Sequence, residues 1–113
     1  MLGCKATQLR SILRSGLVPY VQRNSKGHRM LEPWQIDLLH ILLGMKQAGF
    51  KKADLKRYAQ LFREGRQTAT QRLNMLTTRK HQLWQEIAER QKAIDFIQRQ
   101  EEIAWQKQKR RTH

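Results

Sequence analysis

One stretch constrains this chain more than any other, the run from Ala69 to Ala104. Read in alternating steps of four and three residues, it passes through Ala69, Leu73, Leu76, Lys80, Leu83, Ile87, Arg90, Ile94, Ile97, Glu101 and Ala104. Eight of these eleven positions are apolar, and most of the residues between them are polar or charged. No proline or glycine interrupts the run. A period of 3.5 kept over several heptads is the seam of a coiled coil and not the face of an ordinary surface helix. At 1.5 Å per residue the helix is roughly 55 Å long, more than a domain of this size is wide. One copy of the chain has too little else to cover such a seam, so the helix is expected to pair with a second copy. Leu73, Leu76, Leu83, Ile87, Ile94 and Ile97 are the expected dimerisation residues. The charged seam positions cost stability but fix register and orientation. The competing reading is a helix folded back on its own domain.

Charge narrows the class of partner. Of 113 residues, 23 are Lys or Arg and 9 are Asp or Glu, with a sequence pI near 11.0. An anionic partner follows, with nucleic acid first and a membrane surface second. The excess is spread along the chain. Lys51 to Lys80 holds nine basic residues against Asp54 and Glu64. The single cysteine, Cys4, excludes an internal disulfide and a cysteine-based metal cage within one chain. His28, His40, His81 and His113 lack ligand spacing, so neither a metal nor another cofactor is expected. The apolar run Ile36 to Leu43 is too short to cross a bilayer, and no signal peptide precedes it. The expected setting is cytoplasmic, without membrane association. An enzyme is disfavoured, since no nucleophile–histidine pair, glycine-rich phosphate loop or metal constellation is present.

Before the long helix the chain reads as a small, mainly helical domain. Ala6 to Leu13 is a short helix with Leu9, Ile12 and Leu13 on one side and Arg10 and Arg14 toward solvent. Ser15-Gly16 stops it. Pro19 forbids a helix interior, Val18, Tyr20 and Val21 suit an extended segment, and Asn24-Ser25-Lys26-Gly27 is a turn cluster. With His28 to Leu31 as a returning strand, this is a basic hairpin. Glu32-Pro33 opens the most apolar helix, containing Ile36, Leu38, Leu39, Leu42 and Leu43, which ends at Gly49. A further helix, Lys52 to Arg63, turns Leu55, Tyr58, Ala59 and Phe62 inward and Lys51, Lys52, Lys56 and Arg57 outward. Thr68 with Gln71 is expected to cap the long helix. From Lys107 a basic tail closes the chain. The expected domains are 1–65 and 66–113.

Short helix, basic hairpin, two helices and a long dimerising helix resemble the MerR family of bacterial transcriptional regulators. Five segments carry the resemblance in order: Leu9-Arg10 with Arg14-Ser15-Gly16-Leu17; Pro19, Arg23, Asn24 and Gly27-His28-Arg29; Met45 to Phe50 with Leu55; Arg72 to Leu76; and Gln85-Glu86-Ile87. The resemblance implies an all-α, mainly helical fold: a winged helix-turn-helix-like domain with a small β-hairpin wing, then a coiled-coil dimerisation helix paired antiparallel. It also implies a homodimer on double-stranded promoter DNA that twists and bends the spacer for RNA polymerase. Arg10 falls on the family's recognition-helix arginine and Arg29 on its wing arginine, while Arg14, Arg23, Lys26 and His28 join them as candidate DNA contacts.

Departures from the family pattern bear on function. The family begins with another helix, and Met1-Leu2-Gly3-Cys4 falls where the turn after it belongs, so a missing first helix or an upstream start is expected. Ser11 and Ile12 replace an aromatic pair after the recognition arginine, and Leu31 replaces a wing tyrosine. The cysteines of the metal-sensing branches are lacking, and Gly44 stands where the thiol-sensing branch has its cysteine. The alternatives carried forward are a coiled-coil interaction protein or truncated regulator without specific DNA binding, and a basic RNA-associated protein.

Overall fold

The structure, a computed structural model, describes residues 6–111; Met1–Lys5, with Cys4, and Thr112–His113 lie outside the described residues. Helix α1 spans Ala6–Arg14, strands β1 and β2 span Gln22–Arg23 and Arg29–Met30, helix α2 spans Pro33–Gln47 and helix α3 spans Lys52–Glu64. A 3₁₀ turn, Arg66–Thr68, leads into helix α4, Ala69–Arg111. The chain divides into two compact units, Met1–Met75 and Leu76–His113.

The first unit is built around α2. Leu38, Leu39, Leu42, Leu43 and Met45 are buried there against Ile12 of α1, Val18 of the following loop, and Leu55, Tyr58 and Ala59 of α3. Leu9, Leu13, Phe50, Phe62 and Met75 close the edges of this core, partly buried. Ile36 departs from the expected apolar face and is exposed. It lies three residues before Leu39 and seven before Leu43, so at 100° per residue it falls at the rim of the buried stripe, where it is 40% exposed.

Local chemistry sets the ends of these helices. Glu32 and Gln35 form a reciprocal capping box on α2, with Pro33 at its first position. At the other end, the Phe50 N–H donates to the Met45 carbonyl and the Gly49 N–H to the Lys46 carbonyl, both at 3.1 Å. Gly49 has φ 84°, so this is a Schellman stop, in which glycine takes the left-handed conformation without penalty. Thr68 does not cap α4 as expected. Its hydroxyl is buried and faces the Leu61 and Gly65 carbonyls at 2.6 and 2.8 Å, while accepting from Arg72 Nε at 3.0 Å. The two carbonyls that end α3 claim its proton, and the 3₁₀ turn carries the chain into α4.

The second unit is the remainder of α4. Leu76, Ile87, Ile94 and Ile97 are exposed, as is Leu73 before them, and Leu83 is half-buried. Trp84, Phe96, Ile103 and Trp105 add exposed apolar surface at positions outside the expected seam. The helix runs on to Arg111, so Lys107 to Arg111 of the expected tail are helical.

Candidate nucleic-acid interface

The first 31 residues contain six Lys or Arg and no Asp or Glu. The fold presents five of these cations, Arg10, Arg14, Arg23, Lys26 and Arg29, on two elements. Arg10 and Arg14 lie one helical turn apart on α1, both exposed, on the side away from buried Ile12. The other three belong to the hairpin.

The hairpin is tighter than the residue pattern implied. Its ladder has two pairs, Gln22 with Met30 and Arg23 with Arg29. Tyr20, expected in the strand, instead sits in a turn at φ 62°. The ladder cannot extend through this leg, because Tyr20 leaves the extended region and the Glu32 amide opposite it is taken by Gln35 Oε1. At the tip, Asn24 organises a three-residue loop. Its Oδ1 accepts from the Lys26 and His28 amides at 3.0 and 2.9 Å, and its amide donates to the His28 carbonyl at 2.9 Å. Gly27, at φ 80°, occupies the left-handed position such a loop requires. Arg23 Nη1 donates to the Gly27 carbonyl at 2.7 Å, so this side chain braces the loop as well as charging it.

Arg23 and Arg29 stand directly across the ladder from one another. Like charges at that position destabilise a strand pair. Among the described residues neither has a carboxylate within ion-pairing distance, whereas Arg79 pairs with Glu86 at 3.2 Å on α4. An anion at the hairpin would relieve the repulsion. Lys26 and His28 are exposed at the tip, and Arg29 is half-buried at the base. Lys51, Lys52, Lys56 and Arg57 are exposed at the start of α3, where Lys52 and Lys56 line a cavity of about 660 Å³ with Gly16, Leu17 and Arg63.

Sequence reasoning missed Gln35. It is buried, and its side chain joins both ends of the hairpin: Nε2 donates to the Pro19 carbonyl at 2.9 Å, and Oε1 accepts from the Glu32 amide at 2.7 Å. The S/T/D/N–x–x–E/Q pattern that signals a capping box has here become Glu-x-x-Gln, and the long-range half of its role leaves no local signal. Among the described residues no group of three His, Cys, Asp or Glu side chains is placed to hold a metal, and no helix is long and apolar enough to cross a membrane.

Comparison with known proteins gives this arrangement a lineage. Residues 1–61, more than half of the chain, match the MerR HTH family of regulatory proteins. The chain belongs to that family. An HTH-type transcriptional regulator of Haemophilus influenzae is 28% identical over 97 residues, which cover 86% of this chain and 72% of that protein. A MerR-family transcriptional regulator from Bacillus thuringiensis superposes with a TM-score of 0.66 at 28% identity, over 83% of this chain and 82% of the other. HiNmlR, a MerR-family regulator lacking the sensor domain and solved bound to promoter DNA, gives a TM-score of 0.66 at 29% identity, over 82% and 70%. The winged-helix fold is therefore that of MerR regulators, and the protein is a transcriptional regulator and not an enzyme. This MerR assignment sets aside the RNA-associated and interaction-protein readings.

Proposed function

We propose that the protein binds a pseudo-palindromic promoter site as a homodimer, with residues 1–65 as the DNA-binding domain and 66–113 as the dimerisation helix, and distorts the DNA so that RNA polymerase can engage. The observation that carries the reading is the pairing of two acid-free basic elements, α1 and the hairpin, in one unit, in a family with a member solved on promoter DNA. A helix in the major groove reads base edges, whereas a basic hairpin holds phosphates beside it.

In this reading Arg10 contacts bases, Arg14 supports it from the next turn, and Arg23, Lys26, His28 and Arg29 contact backbone. The seam of α4, Leu73, Leu76, Leu83, Ile87, Ile94 and Ile97, is covered by the same helix of a second copy, whose two-fold axis matches that of the operator. Bending a site costs roughly 1–6 kcal/mol by elastic estimates, so both ends of the site need firm backbone anchorage. The hairpins of the two copies supply it. The site of action is the cytoplasm, where the promoter is.

The test is binding of the full chain to the DNA upstream of its own gene, against a shuffled duplex, in about 150 mM salt, where purely electrostatic binding is weakened. Preference for the native duplex supports an autoregulatory operator. Equal, steeply salt-dependent affinity for both, persisting across other promoters, would remove the claim of sequence-specific regulation.

A further inference from the structure

The hairpin meets the rest of its unit through two legs, Pro19–Val21 and Leu31–Glu32. Between the legs its strands bury little: Gln22, Arg23 and Met30 are exposed. A two-pair ladder without an apolar face cannot set its own direction, so the direction is set at the legs. Gln35 holds both of them from α2. The first leg carries a second hold that the family resemblance did not lead one to expect.

Tyr20 is, among the described residues, the non-glycine residue at positive φ. A bulky side chain is disfavoured there, and glycine would take the conformation freely. Such a conformation persists only where something holds it, and although Tyr20 is 70% exposed, its contact with Arg63 supplies a hold. Arg63, in the last turn of α3 and 43 positions away, donates from Nη2 to the Tyr20 hydroxyl at 2.5 Å. Its guanidinium also lies over the Tyr20 ring, 4.8 Å from the centroid. Among the described residues no carboxylate lies within ion-pairing distance of Arg63 to draw it away. The end of α3 is itself secured. Arg72 packs over the Phe62 ring at 5.6 Å and donates to the Gly65 carbonyl at 3.1 Å and to Thr68 Oγ1.

We propose that Tyr20 and Arg63 form a positioning clamp that fixes the angle at which the hairpin leaves its unit, and so aligns Arg23, Lys26 and Arg29 with the phosphates flanking the operator. The proposal rests on the DNA-binding reading above. Neither clamp residue touches the DNA bases in it; both act through the hairpin. A planar, multiply donating guanidinium stacked on a ring and bonded to its hydroxyl restrains direction as well as distance, which an ammonium would not.

The test combines two measurements on the full chain. In the first, nitroxide labels are placed at Lys26→Cys and Asp37→Cys in a Cys4→Ser background, and the distance distribution between them is measured without DNA. Tyr20→Gly and Arg63→Gln each broaden it, and Tyr20→Phe, which keeps the stacked ring, broadens it less. An unchanged width in all three variants overturns the clamp whatever the protein does with DNA. In the second, operator affinity falls by about five-fold in Tyr20→Gly and in Arg63→Gln, and the double variant falls no further than the weaker single, as expected of residues acting as one unit. In a Lys26→Ala/Arg29→Ala background the clamp variants cost nothing more. Footprints lose protection at the flanks and keep it at the centre, with melting temperatures unchanged. Weakening by Arg63→Gln without weakening by Tyr20→Gly would make Arg63 a direct phosphate contact and end the proposal. Failure of the parental chain to prefer any duplex would count against the DNA-binding reading, while the label distances decide the clamp on their own.

Discussion

The same residue types meet opposite fates in the two halves of this chain. In α2, Leu38 and Leu42 are 0% exposed. In α4, Leu73, Ile87 and Ile97 are 61%, 56% and 57% exposed. Both elements are regular helices whose backbone hydrogen bonds are internal, so the difference lies wholly in what covers the side chains. The core of the first unit gathers residues of α1, α3 and the loop after α1 around the buried face of α2. The heptads of α4 spread apolar surface along a line, and only another long helix has the shape to cover a line. Fully burying a Leu or Ile is worth about 1.5–3 kcal/mol, so the exposed row stores a driving force for association that the first unit has already used in folding. One half of the molecule is finished by folding. The other, in the reading proposed above, is finished by dimerisation.

If that contrast is right, damage to the two halves separates cleanly. Leu42→Ala leaves a cavity in the fully buried core and is expected to cost roughly 2–5 kcal/mol of unfolding free energy, measured by denaturant titration. The dimer seam should survive it, so sedimentation of the variant below its unfolding midpoint still reports a dimer. Ile94→Asn with Ile97→Asn acts the other way. Two polar groups per chain enter the seam, and the dimer is expected to dissociate at micromolar concentration, whereas the first unit keeps its near-ultraviolet circular dichroism. A variant that stays dimeric would break the comparison at its root.

Smaller effects sharpen it. Arg10→Ala is expected to weaken operator binding by roughly 1–3 kcal/mol and to relax preference at one base position, while Lys26→Ala weakens all sequences alike and lowers the salt slope by about one. Reversal of those two patterns in a panel of operator variants would exchange their assigned roles. Least of all should come from Arg79→Ala. The Arg79–Glu86 pair is 3.2 Å apart with the Glu86 side chain open to solvent, and its removal is expected to shift stability by about 1 kcal/mol. A larger loss of dimer stability would show that Arg79 also works across the subunit interface.

Much of this architecture was legible from residue order. The apolar spacing of Leu38, Leu39, Leu42 and Leu43, the glycines that end α1, α2 and α3, and the heptads of α4 are all local patterns. Helices are made by residues three and four apart, so a linear reading detects them. Arg10, Arg14, Lys26 and His28 stand out for the same reason: runs of cations without acids need no tertiary context to be recognised.

What the chain determined alone, then, is which segments are helical, where they stop, that a basic hairpin lies between two of them, and that the last helix carries a heptad row of apolar residues. What only the tertiary structure decided is how the hairpin is held. Gln35 reaches the Pro19 carbonyl across 16 positions, Arg63 reaches Tyr20 across 43, and Thr68 turns its hydroxyl to the carbonyls that end α3 instead of capping α4. Tyr20 left the strand for a left-handed turn, and Ile36, at the rim of the apolar face, is left uncovered. The reason is common to all five. Their conformations are settled by partners distant in sequence or by which side of a helix its neighbours occupy, and neither is encoded in the spacing of adjacent residues.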